Sequence, residues 1–121
     1  MKVKETSLPY TAAKPKLTYQ DYAQLPDDGN RYELINGELI MVAAPLTIHQ
    51  KVNANISSQL IAFVEKNKLG QVFYAPIDVV LSSHNTLQPD IIFIEKKRKA
   101  IITEKNINGA PDLVIEILSP S

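Results

Sequence analysis

Two acidic residues beside strongly apolar segments are the side chains of this sequence best suited to chemistry. Asp90 stands between Pro89 and the apolar run 91–94, and Glu116 lies inside the apolar run 113–118. An ionised carboxylate is costly to bury unless it is paired, hydrogen-bonded or bound to a metal. Two acids on neighbouring strands can hold one hard divalent cation together with waters. We therefore predict a site for Mg²⁺, or Mn²⁺, formed by Asp90 and Glu116.

The alternation of side chains along a strand tells which residues share a face. It places Asp90 on the face of Ile92, and Glu116 on the face of Val114. If those two faces coincide, the carboxylates meet. A purely structural explanation stays open, in which Asp90 caps a turn and Glu116 pairs with an Arg or Lys of the core.

Two more residues are secondary candidates for catalysis, His49 and Glu38. His49 is at the start of a predicted helix on its inward side, where a histidine either serves catalysis or packs and caps the helix. Glu33 and Glu38 flank the dipeptide Asn36-Gly37, and a carboxylate there could complete a metal shell if the hairpin folds against the helix. Exposed strand glutamates more often have no such role.

A run of four basic residues after Glu95 is the candidate contact for nucleic-acid phosphates: Lys96, Lys97, Arg98 and Lys99. The alternative is a solvated loop that guards the end of a strand. The whole chain has 13 Lys and Arg against 13 Asp and Glu, so no overall field draws it to nucleic acid or to an anionic membrane. Any affinity for DNA must therefore be local.

Length and composition favour one globular domain in a reducing compartment. The 121 residues, 45% of them apolar, suffice for one core. The absence of cysteine excludes disulfides, thiolate catalysis and Cys-ligated zinc. We find no apolar leader near the N-terminus and no run long enough to span a membrane. We expect a cytoplasmic protein without a membrane partner.

The elements that must position these residues follow from periodicity and turn residues. The order is a short helix, a hairpin, a long helix and three strands, which predicts an α/β fold of the α+β type with a mixed sheet. Thr18 and Asp21 indicate the start of the short helix, and Asn36-Gly37 suits a type I′ hairpin turn. The predicted ranges are a loose segment at 1–17, a hairpin at 31–42, an amphipathic helix at about 48–68, strands at 72–81, 89–95 and 112–118, and a loop at 96–109.

Several motifs together resemble the Uma-type putative restriction endonuclease family. They occur in family order, across residues 18–121: Tyr32-Glu33-Leu34-Ile35-Asn36-Gly37-Glu38-Leu39, His49-Gln50, Gln88-Pro89-Asp90, and the stretch 109–121 that contains Leu113-Val114-Ile115-Glu116-Ile117-Leu118. The resemblance implies a restriction-endonuclease-like fold of the PD-(D/E)XK nuclease superfamily. It also implies DNA cleavage with magnesium held by the acids at Asp90 and Glu116.

The sequence departs from the superfamily pattern at Leu118, where a lysine that assists the attacking water is expected. The family comparison further leads us to expect a C-terminal helix and strand beyond Ser121, so that 18–121 is a C-terminally incomplete domain. We carry three hypotheses. The first is a metal-dependent DNA endonuclease, the second is an inactive nuclease fold that binds nucleic acid or protein, and the third is a structural fragment that covers its sheet by forming a homodimer or domain swap.

Overall fold

A computed structural model describes residues 15–118 of the chain. The predicted loose segment at 1–17 therefore lies mostly outside the described residues, as do residues 119–121. No helix in the described part is long and apolar enough to cross a membrane. The elements in chain order are α1 (Tyr19–Ala23), β1 (Arg31–Ile35), β2 (Glu38–Val42), α2 (Thr47–Asn67), β3 (Gly70–Tyr74), β4 (Val79–Ser82), β5 (Asn85–Leu87), β6 (Ile91–Glu95), a 3₁₀ helix (Lys96–Ile101) and β7 (Leu113–Ile115).

The N-terminal helix and hairpin form as their sequences predict. Thr18 caps α1 in a complete capping box, in which its hydroxyl accepts from the backbone of Asp21 and the Asp21 carboxylate accepts from the backbone of Thr18. Asn36 and Gly37 have φ angles of 50° and 76°, and Leu34 pairs with Leu39 across the turn. Positive φ at both central residues is the requirement of a type I′ turn. The hairpin fixes the register of β1.

The long helix α2 is confirmed, with two corrections to its details. We expected Thr47 and Gln50 to form a capping box, but Thr47 is already inside the helix and the cap residue Leu46 offers no side-chain hydrogen bond. The spacing of Val52, Ile56, Leu60, Phe63 and Val64 predicts one buried apolar stripe, but Phe63 is 59% exposed. The buried residues of the helix are Ser57 and Val64. The face of α2 that packs on the protein therefore differs from the face with the most apolar residues. In the first half of the helix, this inward face carries polar side chains.

The α+β class is confirmed, with the described strands divided between two sheets. One has the order β2-β1-β5-β4 and the other β3-β6-β7, and neighbouring strands pair antiparallel. The strand expected at 72–81 is two strands in different sheets, separated at Pro76, and β5 was not anticipated. A buried cluster joins the sheets, because β4 and the segment after the 3₁₀ helix pack on β6. Its members are Val79, Ile92, Ile94 and Ile107, with Phe73, Ile77, Ile101 and Ile102 around them.

The last two apolar runs differ more than we expected. Strand β6 is central, and its residues Ile91, Ile92 and Ile94 have no exposed surface. Strand β7 is an edge strand in the described part, with Leu113 and Val114 each about 43–44% exposed. Each fully buried isoleucine side chain stabilises the fold by roughly 1.5–3 kcal/mol. The start of β6 is therefore a rigid position from which a functional side chain can project.

A candidate metal centre on the rim of a pocket

Where β6 begins and β7 ends, the carboxylates of Asp90 and Glu116 each accept a hydrogen bond from the backbone of the opposite segment. The backbone N–H of Asp90 donates to Oε1 of Glu116 at 2.9 Å. The backbone N–H of Ile117 donates to Oδ2 of Asp90 at 2.8 Å. The antiparallel register pairs Ile91 with Ile115, and Asp90 and Glu116 are the next residues beyond that pair. The two hydrogen bonds and the shared pocket bring the acids together, an outcome that strand alternation alone had left open.

No Lys or Arg of the described residues pairs with this acidic pair. Within residues 15–118, no Lys or Arg nitrogen lies within 4.0 Å of either carboxylate. Asp90 is largely enclosed, with 18% of its side chain exposed. Glu116 is exposed, and β7 ends one residue before it. Our expectation that Glu116 is buried within a strand is wrong, so its charge has a smaller desolvation cost than we assumed.

Helix α2 brings His49 and Asn53 to the same aspartate. The Nε2 atom of His49 lies 3.4 Å from Oδ2 of Asp90, and 14% of the histidine side chain is exposed. The amide of Asn53 approaches the backbone oxygen of Asp90 at 3.4 Å, and its own oxygen accepts from the hydroxyl of Ser57 at 2.7 Å. These helix residues recur at intervals of four, which places them on one face. The helix thus positions both the carboxylate and the backbone of Asp90.

A pocket of about 210 Å³ opens between the acidic pair and the hairpin. Glu33 on β1 lines it, and its Oε2 accepts from the backbone of Gln88 at 2.7 Å. A larger groove of about 640 Å³ along α2 shares His49 and Asp90 with this pocket. The small pocket is lined by Arg31, Glu33, Val42, Ala43, Ala44, Pro45, His49, Gln88, Asp90 and Glu116. Five of its ten side chains can carry charge.

The candidate Glu38 does not line this pocket. It is exposed beside the hairpin turn, opposite Ile35, and two residues nearer the turn than Glu33. That offset is about 7 Å along the strand. Of the two glutamates that flank Asn36-Gly37, the structure therefore brings Glu33, and not Glu38, to Asp90 and Glu116. The hairpin and the start of α2 line the same pocket, and the carboxylate that the hairpin contributes there differs from the predicted one.

Behind the pocket, a hydrogen-bonded network holds Gln88. Its side-chain N–H₂ donates to Oδ1 of Asp78 at 2.9 Å and contacts the hydroxyl of Tyr22 at 3.3 Å. Its side-chain oxygen accepts from Nε of Arg31 at 2.8 Å. Burial first, and then the nearby Asp78 charge, raise the pKa of Tyr22 well above its ordinary value of 10.0, so the phenol keeps its proton. The amide orientation of Gln88 is thereby fixed, because Asp78 accepts and Arg31 donates.

The basic run is not part of this pocket. Lys96 to Lys99 form most of the 3₁₀ helix that follows β6, whereas Asp90 precedes β6. Six residues of extended chain separate Lys96 from Asp90, roughly 20 Å. Lys97 approaches Glu95 at 3.5 Å, and Arg98 pairs with Asp112 at 3.1 Å. Two of the four candidate phosphate contacts are therefore engaged with acids at the far end of the sheet.

The acidic pair supplies two oxygen ligands for a hard divalent cation, which is fewer than such an ion requires. Oδ1 of Asp90 and Oε2 of Glu116 accept no hydrogen bond from other described residues, so one oxygen of each acid remains for a ligand. Carboxylate oxygen is the ligand that Mg²⁺ prefers, and Mg²⁺ often takes one or two carboxylates with waters and a substrate phosphate. Residues 15–118 contain no closed group of three or more acidic, His or Cys ligands. Leu118, at the expected lysine position, is 88% exposed and supplies no charge.

Sequence reasoning missed Arg31, Gln88 and Asn53, although two of them could have been found. Arg31 precedes Glu33 by two residues on one strand, and Asn53 follows His49 by four residues on one helix. Both spacings place side chains on a common face. The role of Gln88 could not be inferred from spacing, because its partner Arg31 lies on β1 and its partner Asp78 lies in the segment before β4. Its position next to Pro89 gave no indication of a network.

Comparison with solved structures shows that the fold occurs in another protein. The chain is similar to a crystal structure titled as a putative nuclease belonging to DUF820 from Anabaena variabilis ATCC 29413, with a TM-score of 0.70 and 24% sequence identity. The match covers 86% of this chain and 59% of that one, so this chain spans less than two thirds of that protein. No curated protein sequence matches it.

The family assignment comes from the sequence itself. The model of the Uma2 family, described as putative restriction endonuclease, matches residues 19–121. The matched region is most of the chain and includes the hairpin, α2, Asp90 and Glu116. The chain therefore belongs to the Uma2 family. The family resemblance inferred from the motifs is confirmed.

Proposed function

We propose that this protein is a metal-dependent endonuclease that hydrolyses phosphodiester bonds of DNA in the cytoplasm. The observation that carries the proposal is the acidic pair, in which Asp90 and Glu116 bond to each other's strands and keep one oxygen each for a ligand. A structural ion pair would have placed a Lys or Arg against them, and among residues 15–118 none lies there. Family membership and the nuclease named in the similar structure support the same reading.

Asp90 and Glu116 would hold Mg²⁺ or Mn²⁺, and the bound ion supplies polarisation of the phosphate and a lowered pKa of its bound water. The protein supplies the rest of the site. Two backbone amides and α2 fix the orientation of the carboxylates before any ligand binds. His49 lies next to Asp90 and can exchange a proton with a water in the pocket, as a general acid or base. Glu33 adds a third carboxylate to the pocket wall.

The direct test is cleavage of supercoiled plasmid DNA by the 121-residue chain with Mg²⁺, with Mn²⁺ and with a chelator. We expect nicked and linear products that depend on the metal. Isothermal titration of Mn²⁺ provides a second measurement that needs no substrate. The same assays on a version extended at its C-terminus test whether the C-terminal helix and strand predicted from the sequence are required. If neither version binds Mn²⁺ and neither cleaves DNA, the proposal is wrong.

A second candidate function is a nuclease fold that binds DNA without cutting it. It is favoured by the exposed Leu118 at the expected lysine position. It is also favoured because residues 15–118 contain no cluster of three or more His, Cys, Asp or Glu that could hold a metal ion. In this case the basic run of the 3₁₀ helix carries the binding. Replacing Lys96, Lys97, Arg98 and Lys99 by alanine should then abolish DNA binding, while Asp90→Asn leaves it unchanged. The reverse pattern supports the enzyme.

We also predict a homodimer, because the second sheet has an exposed edge. Leu113 and Val114 on β7 present apolar surface, and an uncovered strand edge favours association. Sedimentation or light scattering across a concentration series measures this directly. A mass that stays at one protomer across the series would exclude a dimer of the 121-residue chain under those conditions.

A further inference from the structure

Arg31 is the one Lys or Arg among the described residues that line the acidic pocket. Three carboxylates share the pocket wall with it, those of Glu33, Asp90 and Glu116. A DNA phosphate that approached three carboxylates would be repelled in the absence of cations. A metal held by these carboxylates would compensate part of this charge. A guanidinium at the same wall would compensate more, and it would bind a phosphate with directed N–H groups.

The structure holds Arg31 in a way that leaves its charge for a ligand. Its Nε donates to Gln88 at 2.8 Å, which uses one of five N–H groups. Within residues 15–118, no Asp or Glu oxygen lies within 4.0 Å of its nitrogens. The side chain is partly buried. A partly buried guanidinium without a carboxylate partner in the described part is an unusual feature for a purely structural arginine, which would ordinarily be paired.

Gln88 is the residue that positions Arg31. Its side-chain nitrogen is committed to Asp78 and Tyr22, so its oxygen must face the arginine. Its backbone N–H at the same time binds Glu33. One residue thus sets the orientation of a cation and of an anion that line the same pocket. Arg31 also borders the larger groove along α2, so it stands where the pocket and the groove meet.

We propose that Arg31 binds a DNA phosphate at the junction of the pocket and the groove, with Gln88 as its positioning residue. The inference rests on the proposed nuclease function and adds a residue that contacts substrate. It predicts a specific electrostatic effect. A side chain that neutralises one phosphate contributes about 0.9 to the slope of log affinity against log salt for duplex DNA. A residue that only supports the fold does not contribute to that slope.

The experiment measures binding of a fluorescent DNA duplex by the full chain over a salt series, with Ca²⁺ in place of Mg²⁺ to prevent turnover. We expect R31Q to weaken binding roughly 10-fold or more and to lower the salt slope by about 0.9. R31K keeps the charge and should keep the slope, while losing part of the affinity because it lacks the bond to Gln88. K66Q removes the same charge from the exposed end of α2 and should resemble the unmodified protein.

Two results would overturn the inference. One is an R31Q protein whose slope equals that of K66Q. The other is an equal loss of slope in R31K and R31Q, which would assign Arg31 a structural role. In both cases the unmodified protein still binds and cuts DNA, so the proposed function survives. Failure of the unmodified protein to bind the duplex at any salt concentration would reject the phosphate contact and the proposed function together. Mn²⁺ titration of R31Q separates these cases further, because its carboxylates should still bind the ion.

Discussion

The two ends of the β6–β7 strand pair have the same kind of hydrogen bond but differ in how the acidic side chains are neutralised. At each end, a carboxylate reaches across and accepts a hydrogen bond from the neighbouring backbone. At one end Asp112 accepts from the N–H of Glu95 at 2.7 Å and is also paired with Arg98 at 3.1 Å. At the other end Asp90 and Glu116 accept from each other's strands, and no Lys or Arg in the described part lies within 4.0 Å.

The difference separates a structural acid from a candidate ligand. The amide of Glu95 first, and then Arg98, lower the pKa of Asp112 below its ordinary value of 3.8, so this carboxylate is charged and satisfied. Asp90 and Glu116 carry like charges and line one pocket, where among residues 15–118 the basic neighbour of Asp90 is His49, 3.4 Å from its Oδ2 atom. A divalent cation at the Asp90 end would favour both carboxylates in their charged form. We therefore expect ligand binding at one end and only stability at the other.

The largest expected effect comes from exchanging one acid at each end for its amide. Asp90→Asn keeps the acceptor for Ile117 and removes the charge, so DNA cleavage should fall roughly 100-fold or more. Asp112→Asn is the matched control, because it also keeps an acceptor for Glu95. Mn²⁺ should raise the Tm of the unmodified protein and of Asp112→Asn, but not that of Asp90→Asn. Equal metal responses in the two variants would contradict the comparison.

A smaller effect is expected from Glu116→Gln, which tests whether the acids act as a pair. The amide oxygen can still accept from Asp90, so the strand end should keep its geometry. The loss of one charged ligand should weaken Mn²⁺ binding about 10-fold. Glu95→Gln at the opposite end is the control, since Glu95 contacts only the exposed Lys97 among the described basic residues. Unchanged Mn²⁺ affinity in Glu116→Gln would mean that Asp90 binds alone, and that the cross-strand pair has no role as a site.

Strand alternation is a local property, so the sequence could predict which face of its own strand each acid shares, but not that the two faces coincide. Helix α2 and the hairpin followed from their own periodicity and turn residues. The environment of Glu116 could not be predicted in the same way. Whether a strand is central or at an edge depends on pairing between distant segments, so β6 and β7 looked alike in sequence and differ in burial.

The remaining partners of the site come from long-range contacts that no local pattern encodes. Gln88 joins residues from α1, β1 and the segment before β4, and the choice of Glu33 over Glu38 depends on how far the hairpin reaches along the pocket. The short strand β5 escaped notice because its three residues have too few positions to show a period. The sequence shows that the basic run follows β6 and that Asp90 precedes it. The distance between them became clear only from the extended course of β6.

The smallest effect concerns stability at the Asp112 end and its dependence on pH. Because the pKa of Asp112 is lowered in the folded state, its contribution is complete above its ordinary pKa of 3.8 and is lost as the pH falls through the lower folded value. The difference in Tm between the unmodified protein and Asp112→Asn should therefore be constant from about pH 7 to pH 5 and should shrink below about pH 4.

Salt identifies the source of that difference. The ion pair with Arg98 is partly exposed and should weaken in 1 M NaCl, whereas the hydrogen bond from Glu95 should persist. A Tm difference that grows as the pH falls would mean that the charged form of Asp112 does not stabilise the fold. Asp112 would then not be a structural acid, and the two strand ends would differ only in metal binding.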